Sequence, residues 1–369
     1  MNISDLANSH ILEQPVYLPG KPIEQVAVEY GLNPSEVCKL ASNENPLGPS
    51  PKALAAAEEA LLDIRLYPEG GGIELREKIA RVRNIRAEQI ILGNGSNEII
   101  ELLGHVFLRP GDEVVTGQFS FVVYKLVAHL FGATAMEVPM PEFGHDLEAM
   151  REAIAEKTRI VFLASPNNPT GTANEVDEIV QFAEGLPEHT IFCLDEAYAE
   201  YLEVTPNLLP LIDAGRKIIC LRTFSKIHGL AGLRLGYGYS GEAMAALLHR
   251  ARQPFNANSI AQAAAKAALE DEQWTTQCRQ ANRVGLSQLE AGFSAMGLEY
   301  VPSQANFILV KVGDGEAIFA EMQKHGVIVR SFGGGLSEYI RLTVGTQEQN
   351  IKALSTLEAS LAHASMNNG

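Results

Sequence analysis

Cysteine is scarce in this sequence, and its spacing follows no pattern. Four cysteines, Cys38, Cys193, Cys220 and Cys278, are scattered through 369 residues with no CxxC pair among them. Disulfide frameworks and zinc sites depend on regular cysteine spacing, so the sequence predicts neither, and no metal site of another kind is evident. Scattered reduced thiols are typical of a cytoplasmic protein, and we predict that location.

Long apolar runs and a targeting segment are also lacking. No apolar stretch approaches the ~20 residues that a membrane-spanning helix needs. The N-terminal residues 1–5 have no basic start followed by an apolar run, so they do not resemble a signal peptide. From these absences we expect no membrane insertion and no export.

Positive charge is in deficit. The 29 Lys and Arg residues face 45 Asp and Glu residues, which gives a formal net charge of -16. Such a charge repels nucleic acid and anionic membranes, so we expect neither as a partner. Hydrophobic residues make up 46% of the chain, which is enough for a sizeable core in one large domain or two smaller ones.

From about residue 85 to 240, short apolar runs alternate with amphipathic stretches. This alternation predicts an α/β fold with a mainly parallel sheet that helices cover on both faces. Because crossover connections are right-handed, we expect the C-terminal end of every strand at one edge, where ligands bind. The apolar runs span residues 89–92, 113–116, 159–164, 190–194, 217–221 and 233–239, and helical patterns span 96–108, 146–155 and 174–184.

The two ends of the chain predict a smaller α+β unit. Helical patterns at 258–269 and 274–296 precede strand-like runs at 305–310, 327–331 and 339–344. The first ~45 residues are rich in proline and turn residues and are typical of an arm or of part of this small unit. We predict an N-terminal segment over residues 1–45, a large ligand-binding domain over 46–275 and a small C-terminal domain over 276–369.

Polar clusters follow several of the predicted strands. In residues 93–98 (Gly-Asn-Gly-Ser-Asn-Glu), Ser96 can cap the next helix and leave an anion site, but Glu98 breaks a dinucleotide fingerprint and no P-loop follows. Residues 165–171 form a loop of Pro, Asn and Gly. Asp195 ends an apolar strand beside the core, so it needs a cationic or hydrogen-bonding partner.

Lys226 has unusual surroundings for a lysine. Residues 222–237 around it are rich in Gly, Ser, Thr and apolar side chains and contain no acid. This pattern predicts burial, and burial lowers the pKa of an amine, as a lysine that forms a Schiff base requires. Arg234 can bind a phosphate together with the hydroxyls of Thr223 and Ser225.

Each cluster taken alone is also typical of a capped turn, a polar loop or a helix N-cap. The predicted topology, however, brings all of them to one edge of one sheet. That edge would combine a phosphate cradle, a buried lysine, an aspartate for a cationic ring nitrogen, and Asn and Tyr donors. Pyridoxal 5′-phosphate (PLP) requires this set of groups.

The order and spacing of five motifs resemble the class I/II, fold-type I aminotransferases over essentially the whole chain. Within that group the sequence is most similar to the histidinol-phosphate aminotransferases. The motifs are Ser-Asn-Glu-Asn-Pro-Leu-Gly (42–48), Asn-Asn-Pro-Thr-Gly (167–171), Asp-Glu-Ala-Tyr (195–198), Thr-Phe-Ser-Lys (223–226) with Gly-Leu-Ala-Gly-Leu-Arg (229–234), and Arg-Leu-Thr-Val-Gly-Thr (341–346).

The resemblance implies a role for each residue around the cofactor ring. Lys226 would carry PLP as a Schiff base and move the proton between Cα and the cofactor. Asp195 would pair with the pyridinium nitrogen and keep it protonated. Asn168 and Tyr198 would hydrogen-bond the ring hydroxyl, and Phe119 would stack on the ring.

The resemblance also implies roles in anion binding and assembly. Tyr67 would reach the phosphate across the interface of a homodimer. Arg341 would bind the anionic group of the substrate, with Arg330 and Tyr17 nearby. The remaining phosphate-binding residues would be Gly95, Ser96, Asn97, Thr223, Ser225 and Arg234.

Two positions depart from the pattern of the resembled family. Relatives often carry Asp where Asn97 stands and Tyr where Phe119 stands. Asn97 leaves less negative charge near the phosphate, and Phe119 can still stack but has no hydroxyl. Neither change removes an essential role, but both weaken an assignment to one subfamily.

These features favour transfer of an amino group between histidinol phosphate and 2-oxoglutarate, with glutamate as the other product, in histidine biosynthesis. An aromatic amino acid aminotransferase and a PLP decarboxylase of a phosphorylated amino acid are alternatives on the same scaffold. A non-catalytic PLP-binding module of a regulator is a further alternative. It would need a DNA-binding unit, and the sequence has no helix-turn-helix pattern.

Overall fold

A seven-stranded sheet forms the centre of the molecule in the computed structural model, which describes residues 2–14, 16 and 20–367. The order of its strands is β2-β8-β7-β6-β5-β3-β4. The described strands are β1 (Cys38–Lys39), β2 (Ile90–Gly93), β3 (Glu113–Gly117), β4 (Thr134–Val138), β5 (Thr158–Ala164), β6 (Ile191–Asp195), β7 (Ile218–Thr223), β8 (Gly236–Ser240), β9 (Tyr300–Val301), β10 (Phe307–Lys311), β11 (Val327–Ile328), β12 (Arg330–Ser331) and β13 (Tyr339–Thr343).

Helices cover both faces of this sheet, as the alternating pattern predicts. None of the helices in the described part of the chain is both long enough and apolar enough to cross a membrane. The described α-helices are α1 (Ser9–Leu12), α2 (Ile23–Tyr30), α3 (Pro51–Ala60), α4 (Ile73–Arg83), α5 (Ser96–Phe107), α6 (Val123–Leu130), α7 (Leu147–Glu152), α8 (Val176–Glu184), α9 (Leu209–Asp213), α10 (Glu242–Ala251), α11 (Ser259–Ala268), α12 (Glu272–Ala295), α13 (Gly315–Lys324) and α14 (Gln347–Asn367).

Alternating side chains of the central strands fill two apolar layers. In β5, Leu163 packs into the layer that contains Phe182 of α8, and Phe162 packs into the opposite layer with Tyr124 of α6. Each fully buried side chain of this size contributes roughly 1.5–3 kcal/mol through the hydrophobic effect. The two layers hold the sheet rigid, so the positions of its strand ends are fixed.

One strand runs against the predicted direction. β3 to β7 pair in parallel, but β8 is antiparallel to both β7 and β2. The expectation that every strand ends at the same edge was therefore wrong for β8. Residues 224–235, which connect β7 to β8, hold no α-helix, and a parallel crossover normally needs one. The overall prediction of a mainly parallel sheet between helices is confirmed.

The chain ends form smaller sheets. β12, β13, β10 and β9 form a four-stranded antiparallel sheet, which packs against α12, α13 and α14. The predicted single strand over residues 327–331 is divided into β11 and β12, and β11 pairs with β1 from the N-terminal segment. This pairing agrees with an N-terminal contribution to the small unit. The predicted domain boundaries at residues 45 and 275 stay a prediction.

Candidate active site

Polar residues gather where the central strands end. The C-terminal ends of β2, β3, β5, β6 and β7 lie at one edge of the sheet. Because β8 is antiparallel, its first residue, Gly236, pairs there with Thr223 and with Gly93. The motifs around Gly95, Asp195 and Lys226 therefore meet at this edge, as the sequence predicts.

A cationic cradle lies at the start of α5. A Cβ on Gly95 would lie only 2.5 Å from a terminal nitrogen of Arg234, and Gly95 has a φ of +77°. Arg234 also donates a hydrogen bond to Ser225 Oγ at 3.4 Å. The hydroxyl of Thr223 accepts the backbone N–H of Ser225 at 3.1 Å. A guanidinium, hydroxyls and a helix N-terminus in contact are suited to bind a phosphate group.

α5 begins where the helical pattern over residues 96–108 predicts, but its N-cap residue is not the predicted one. The helix begins at Ser96 itself and Gly95 is its N-cap residue, so the prediction that Ser96 caps the helix was wrong. Ser96 is buried, and a Cβ on Gly236 would lie 2.6 Å from its backbone nitrogen. Only glycine therefore fits at position 236, the first residue of β8. Asn97, the next residue of the helix, is exposed.

Two neighbouring buried carboxylates have contrasting partners. Glu196 receives two hydrogen bonds from Arg222, each of 2.9 Å, so a cation inside the fold balances its charge. Asp195 accepts from the hydroxyl of Tyr124 at 2.7 Å and from the backbone N–H of Ala197 at 3.1 Å. Both donors are neutral, and Asp195 forms no ion pair with any residue that the structure describes.

This difference leaves the negative charge of Asp195 without a direct ion-pair partner among the described residues at the sheet edge. Burial raises the pKa of Asp195, whereas the hydrogen bonds from Tyr124 and Ala197 lower it. A buried carboxylate without a cation is costly unless a cationic ligand group approaches it. The site is thus arranged to receive positive charge at Asp195.

Lys226 is half-buried beside Asp195 and Tyr198. Its Nζ donates to the backbone carbonyl of Ser42 at 3.0 Å and lies 5.6 Å from the ring centroid of Tyr198. Burial, followed by the charge of Arg341, lowers the pKa of Lys226 to about 8. At neutral pH a fraction of about a tenth of this amine is therefore uncharged and nucleophilic.

The segment with residues 42–48 closes over the lysine loop. Gly229, three residues after Lys226, has a φ of +68°, and a Cβ there would lie 2.3 Å from the carbonyl of Gly48. Asn45 donates to the backbone carbonyl of Ile227 at 2.7 Å. Two motifs that are about 180 residues apart in the sequence are thus in direct contact.

Tyr198 and Asn168 connect the large sheet to β13. The hydroxyl of Tyr198 accepts from Asn43 Nδ2 at 2.8 Å, and Thr343 of β13 donates to Asn43 Oδ1 at 3.0 Å. Arg341 of β13 donates to Asn168 Oδ1 and to a backbone carbonyl of the N-terminal segment. Burial raises the pKa of Tyr198 to about 12, so its hydroxyl remains protonated at neutral pH.

The two predicted substrate arginines stand directly opposite each other. Arg330 of β12 and Arg341 of β13 are register partners in an antiparallel pair, so their side chains leave the same face of the small sheet. Arg341 is buried and lies 5.1 Å from the ring centroid of Phe307, while Arg330 is half-buried. Like charges at such positions repel each other, so an anion between them would stabilise the pair.

Three predicted aromatic residues have different surroundings. Phe119 follows β3, and a Cβ on Gly335 of the small unit would lie 2.9 Å from its ring. Tyr67 is 83% exposed and stacks on Phe255 with ring centroids 4.8 Å apart. Tyr17 lies outside the described residues.

Sequence reasoning missed three residues at this edge. Tyr124 reaches Asp195 from α6, and Asn43 holds the hydroxyl of Tyr198. Phe121 packs edge to face on Tyr124 with ring centroids 5.7 Å apart, so it is a second aromatic candidate beside the predicted Phe119. Asn43 belongs to the quoted motif 42–48 and was detectable there. Tyr124 had no signal, because one tyrosine on the apolar face of a helix is usual in a core.

Comparison with known proteins assigns the chain to a family. The sequence profile for "Aminotransferase class I and II" matches residues 35–357. The chain belongs to the class I and II aminotransferases. These are PLP-dependent transferases, so the cofactor class inferred from the sheet edge agrees with the family. Among the described residues, no group of three or more His, Cys, Asp or Glu side chains could hold a metal ion.

Individual relatives are similar to this chain along nearly its full length. The chain is 46% identical over 363 residues to a histidinol-phosphate aminotransferase of Akkermansia muciniphila, with 98% of this chain and 100% of that protein covered. It is 43% identical over 362 residues to histidinol-phosphate aminotransferase 2 of Pseudomonas aeruginosa, with 97% and 98% covered. The structure of histidinol-phosphate aminotransferase from Sinorhizobium meliloti in complex with PLP has a TM-score of 0.90 and 27% identity, with 97% of this chain and 98% of that chain covered.

Proposed function

We propose that this aminotransferase binds PLP at the edge described above. The fit rests on three features: the cradle between Gly95 and Arg234, the uncompensated charge of Asp195, and the lowered pKa of Lys226. When bound, PLP supplies a sink for the electrons released at the Cα of the amino donor. Lys226 would carry PLP as a Schiff base, Asp195 would face the ring nitrogen, and Phe119 or Phe121 would lie on the ring face. Asn168 and Tyr198 would bind the ring hydroxyl. The residues proposed at the phosphate are Gly95, Ser96, Asn97, Thr223, Ser225 and Arg234.

The chemistry then divides among a few side chains. Lys226 carries the proton that leaves Cα, and its pKa of about 8 lets it accept and return that proton near neutral pH. Asp195 stabilises positive charge at the ring nitrogen in a site that excludes water. Tyr198, whose hydroxyl accepts from Asn43, and Asn168, whose carbonyl accepts from Arg341, are held in fixed orientations as donors.

For the substrates we propose histidinol phosphate and 2-oxoglutarate. The observation that carries this proposal is the pair Arg330 and Arg341 on one face of the small sheet. Histidinol phosphate has no carboxylate, so its phosphate must occupy the place where an amino acid puts its carboxylate. One arginine is sufficient for a carboxylate, while a dianionic phosphate favours several donors. The names of the curated relatives support the same substrate.

The Arg330→Ala variant tests the substrate. We expect kcat/KM for histidinol phosphate to fall by about tenfold or more, which corresponds to about 1.4 kcal/mol, and kcat/KM for glutamate to fall less. The physical reason is that the phosphate carries more charge than the carboxylate. The measurement is stopped-flow absorbance of the two half-reactions. Lys311→Ala is the matched control. Lys311 is on β10 of the same sheet, and its positive charge lies near Glu299 and Glu338.

Three results would contradict the substrate proposal. An equal loss on histidinol phosphate and glutamate would make Arg330 a general anchor for anions. A wild-type preference for phenylalanine or tyrosine over histidinol phosphate would favour the aromatic aminotransferase. Loss of carbon dioxide from phosphothreonine would favour the decarboxylase.

We further propose that the enzyme is a homodimer in which Tyr67 completes the site of the second copy. A large exposed apolar surface usually marks an interface between proteins. Tyr67 itself is 83% exposed, and in its own chain its ring stacks on Phe255. Six apolar side chains close to Tyr67 in the sequence are exposed as well: Leu54, Leu61, Leu62, Ile64, Leu66 and Ile73.

Mixing two inactive proteins tests this arrangement. Lys226→Ala and Tyr67→Ala proteins should regain part of the activity when their subunits exchange, because one site of each heterodimer then combines an intact Lys226 with an intact Tyr67. Lys226→Ala mixed with Asp195→Ala is the control, since no heterodimer of that pair contains an intact site. No recovery in the first mixture, with subunit exchange confirmed by native mass spectrometry, would mean that Tyr67 acts within its own chain or not at all.

A further inference from the structure

Tyr124 is a fully buried tyrosine with a single polar task. Its ring stacks on Phe162 of β5, with centroids 4.7 Å apart and planes 3° apart, and this packing fixes its direction. Its hydroxyl donates to Asp195 Oδ2 at 2.7 Å, while Oδ1 accepts from the backbone of Ala197. Both oxygens of Asp195 are therefore held by neutral donors, one from α6 and one from the turn that follows β6.

We propose that Tyr124 is a positioning residue that holds Asp195 ionised and oriented toward the cofactor's ring nitrogen. The proposal rests on the proposed function in that it takes Asp195 as the partner of this nitrogen. A phenol can stabilise the carboxylate without cancelling its charge, because it supplies a dipole and no net charge. A cation at the same place would neutralise Asp195 and compete with the ring nitrogen.

The neighbouring Glu196 provides the contrast inside the same structure. Its carboxylate also accepts from a buried phenol, that of Tyr239 at 2.9 Å, but Arg222 balances its charge. The two residues have the same type of hydrogen bond, and only Asp195 lacks the cation. Tyr239→Phe is therefore a matched control for Tyr124→Phe, since each variant removes one phenol hydroxyl from one buried carboxylate.

Other charges around Asp195 set the background for a titration. The charge of Glu196 raises the pKa of Asp195 and that of Lys226 lowers it. Burial raises the pKa of the thiol of Cys193 and of the hydroxyls of Tyr124 and Tyr198, and the charge of Asp195 raises each of them further. These three groups stay neutral over the range in which a carboxylate titrates, so Tyr124 acts there as a donor only.

The first test uses the cofactor-free protein. The carboxyl carbon of Asp195, labelled with ¹³C and assigned with Asp195→Asn, reports its pKa by NMR. Tyr124→Phe should raise that pKa by about one unit, since the ionised form loses its hydrogen bond, and Tyr239→Phe should leave it unchanged. Replacing the tyrosines with 3-fluorotyrosine makes the phenol a stronger donor and should lower the pKa. An unchanged pKa of Asp195 in both experiments would overturn the proposal. The fluorotyrosine experiment keeps every tyrosine in place, so it does not depend on whether Tyr124→Phe folds.

The second test uses the protein loaded with PLP. In Tyr124→Phe, kcat should fall about tenfold with little change in KM, and the signal of ¹⁵N in the ring should show a less protonated nitrogen. A variant with normal ¹⁵N signal and normal kcat would contradict the positioning role. The titration of Asp195 without cofactor does not depend on amino transfer. The positioning role of Tyr124 can therefore fail or hold independently of the proposed substrate.

Discussion

Lys226→Ala is expected to abolish amino transfer while the chain remains folded and still binds PLP. The reason is that no described residue besides Lys226 brings an amine to Asp195 and Tyr198. The phosphate cradle at Gly95 and Arg234 is untouched, so non-covalent binding persists. Borohydride reduction of the wild-type holoenzyme, followed by peptide mass spectrometry, should find the cofactor on the peptide that contains Lys226.

A control variant distinguishes loss of amino transfer from loss of folding. Lys324→Ala is a suitable control because this lysine is on the small unit and its side chain is 52% exposed. It should keep full activity and the absorbance of the bound cofactor. Reduction that labels a different lysine, or amino transfer by Lys226→Ala above about one thousandth of the wild-type rate, would remove Lys226 from the central role (about 4 kcal/mol at that threshold).

The fold followed from the sequence where hydrophobic patterns were strong. The buried strands β5, β6 and β7 were predicted within one or two residues, because their near-continuous apolar runs are typical of a sheet covered on both faces. The edge strand β4 was missed, since residues 134–138 are mostly exposed and show no such run. The direction of β8 was also missed, because strand patterns contain no sign of direction.

The candidate catalytic residues were easier to predict from the sequence than the residues that position them. Lys226 and Asp195 stand out in the sequence because a lysine without acidic neighbours and an acid at the end of an apolar run are both unusual. Tyr124 does not stand out, because its role depends on a contact between α6 and β6 that forms only in the folded chain. The pairing of Arg330 with Arg341 likewise follows from strand register, which the apolar runs alone do not specify.

The second large effect is expected at Asp195. Asp195→Asn keeps the shape of the side chain and one acceptor oxygen, for either Tyr124 or Ala197, but removes the charge that faces the ring nitrogen. In a site of low dielectric that charge is worth far more than in water, so kcat should fall by several orders of magnitude. Steady-state and half-reaction kinetics measure the fall. A loss below about tenfold, or about 1.4 kcal/mol, would mean that Asp195 is not the partner of the ring nitrogen.

Asp195→Asn, which lowers kcat, should not lower the stability of the cofactor-free protein. Burial raises the folded-state pKa of Asp195 above its ordinary 3.8, so its charge destabilises the fold. The cost is absent below pH 3.8, grows as the pH rises from 3.8 to the folded-state pKa, and stays constant above it. Asp195→Asn has no such cost and should melt at the same or a higher temperature at neutral pH.

Glu196→Gln should show the reverse pattern and so serves as the matched control. It leaves the buried guanidinium of Arg222 without its bidentate partner, which lowers the melting temperature. The Glu196 carboxylate accepts from Arg222 and Tyr239 and shares no donor with Asp195, so kcat per folded molecule should fall far less than in Asp195→Asn. If Asp195→Asn also lost stability, its fall in kcat could be structural. If it lost kcat alone, the adjacent carboxylates would have separate tasks: Glu196 stabilises the fold, and Asp195 destabilises it to bind a cationic ring.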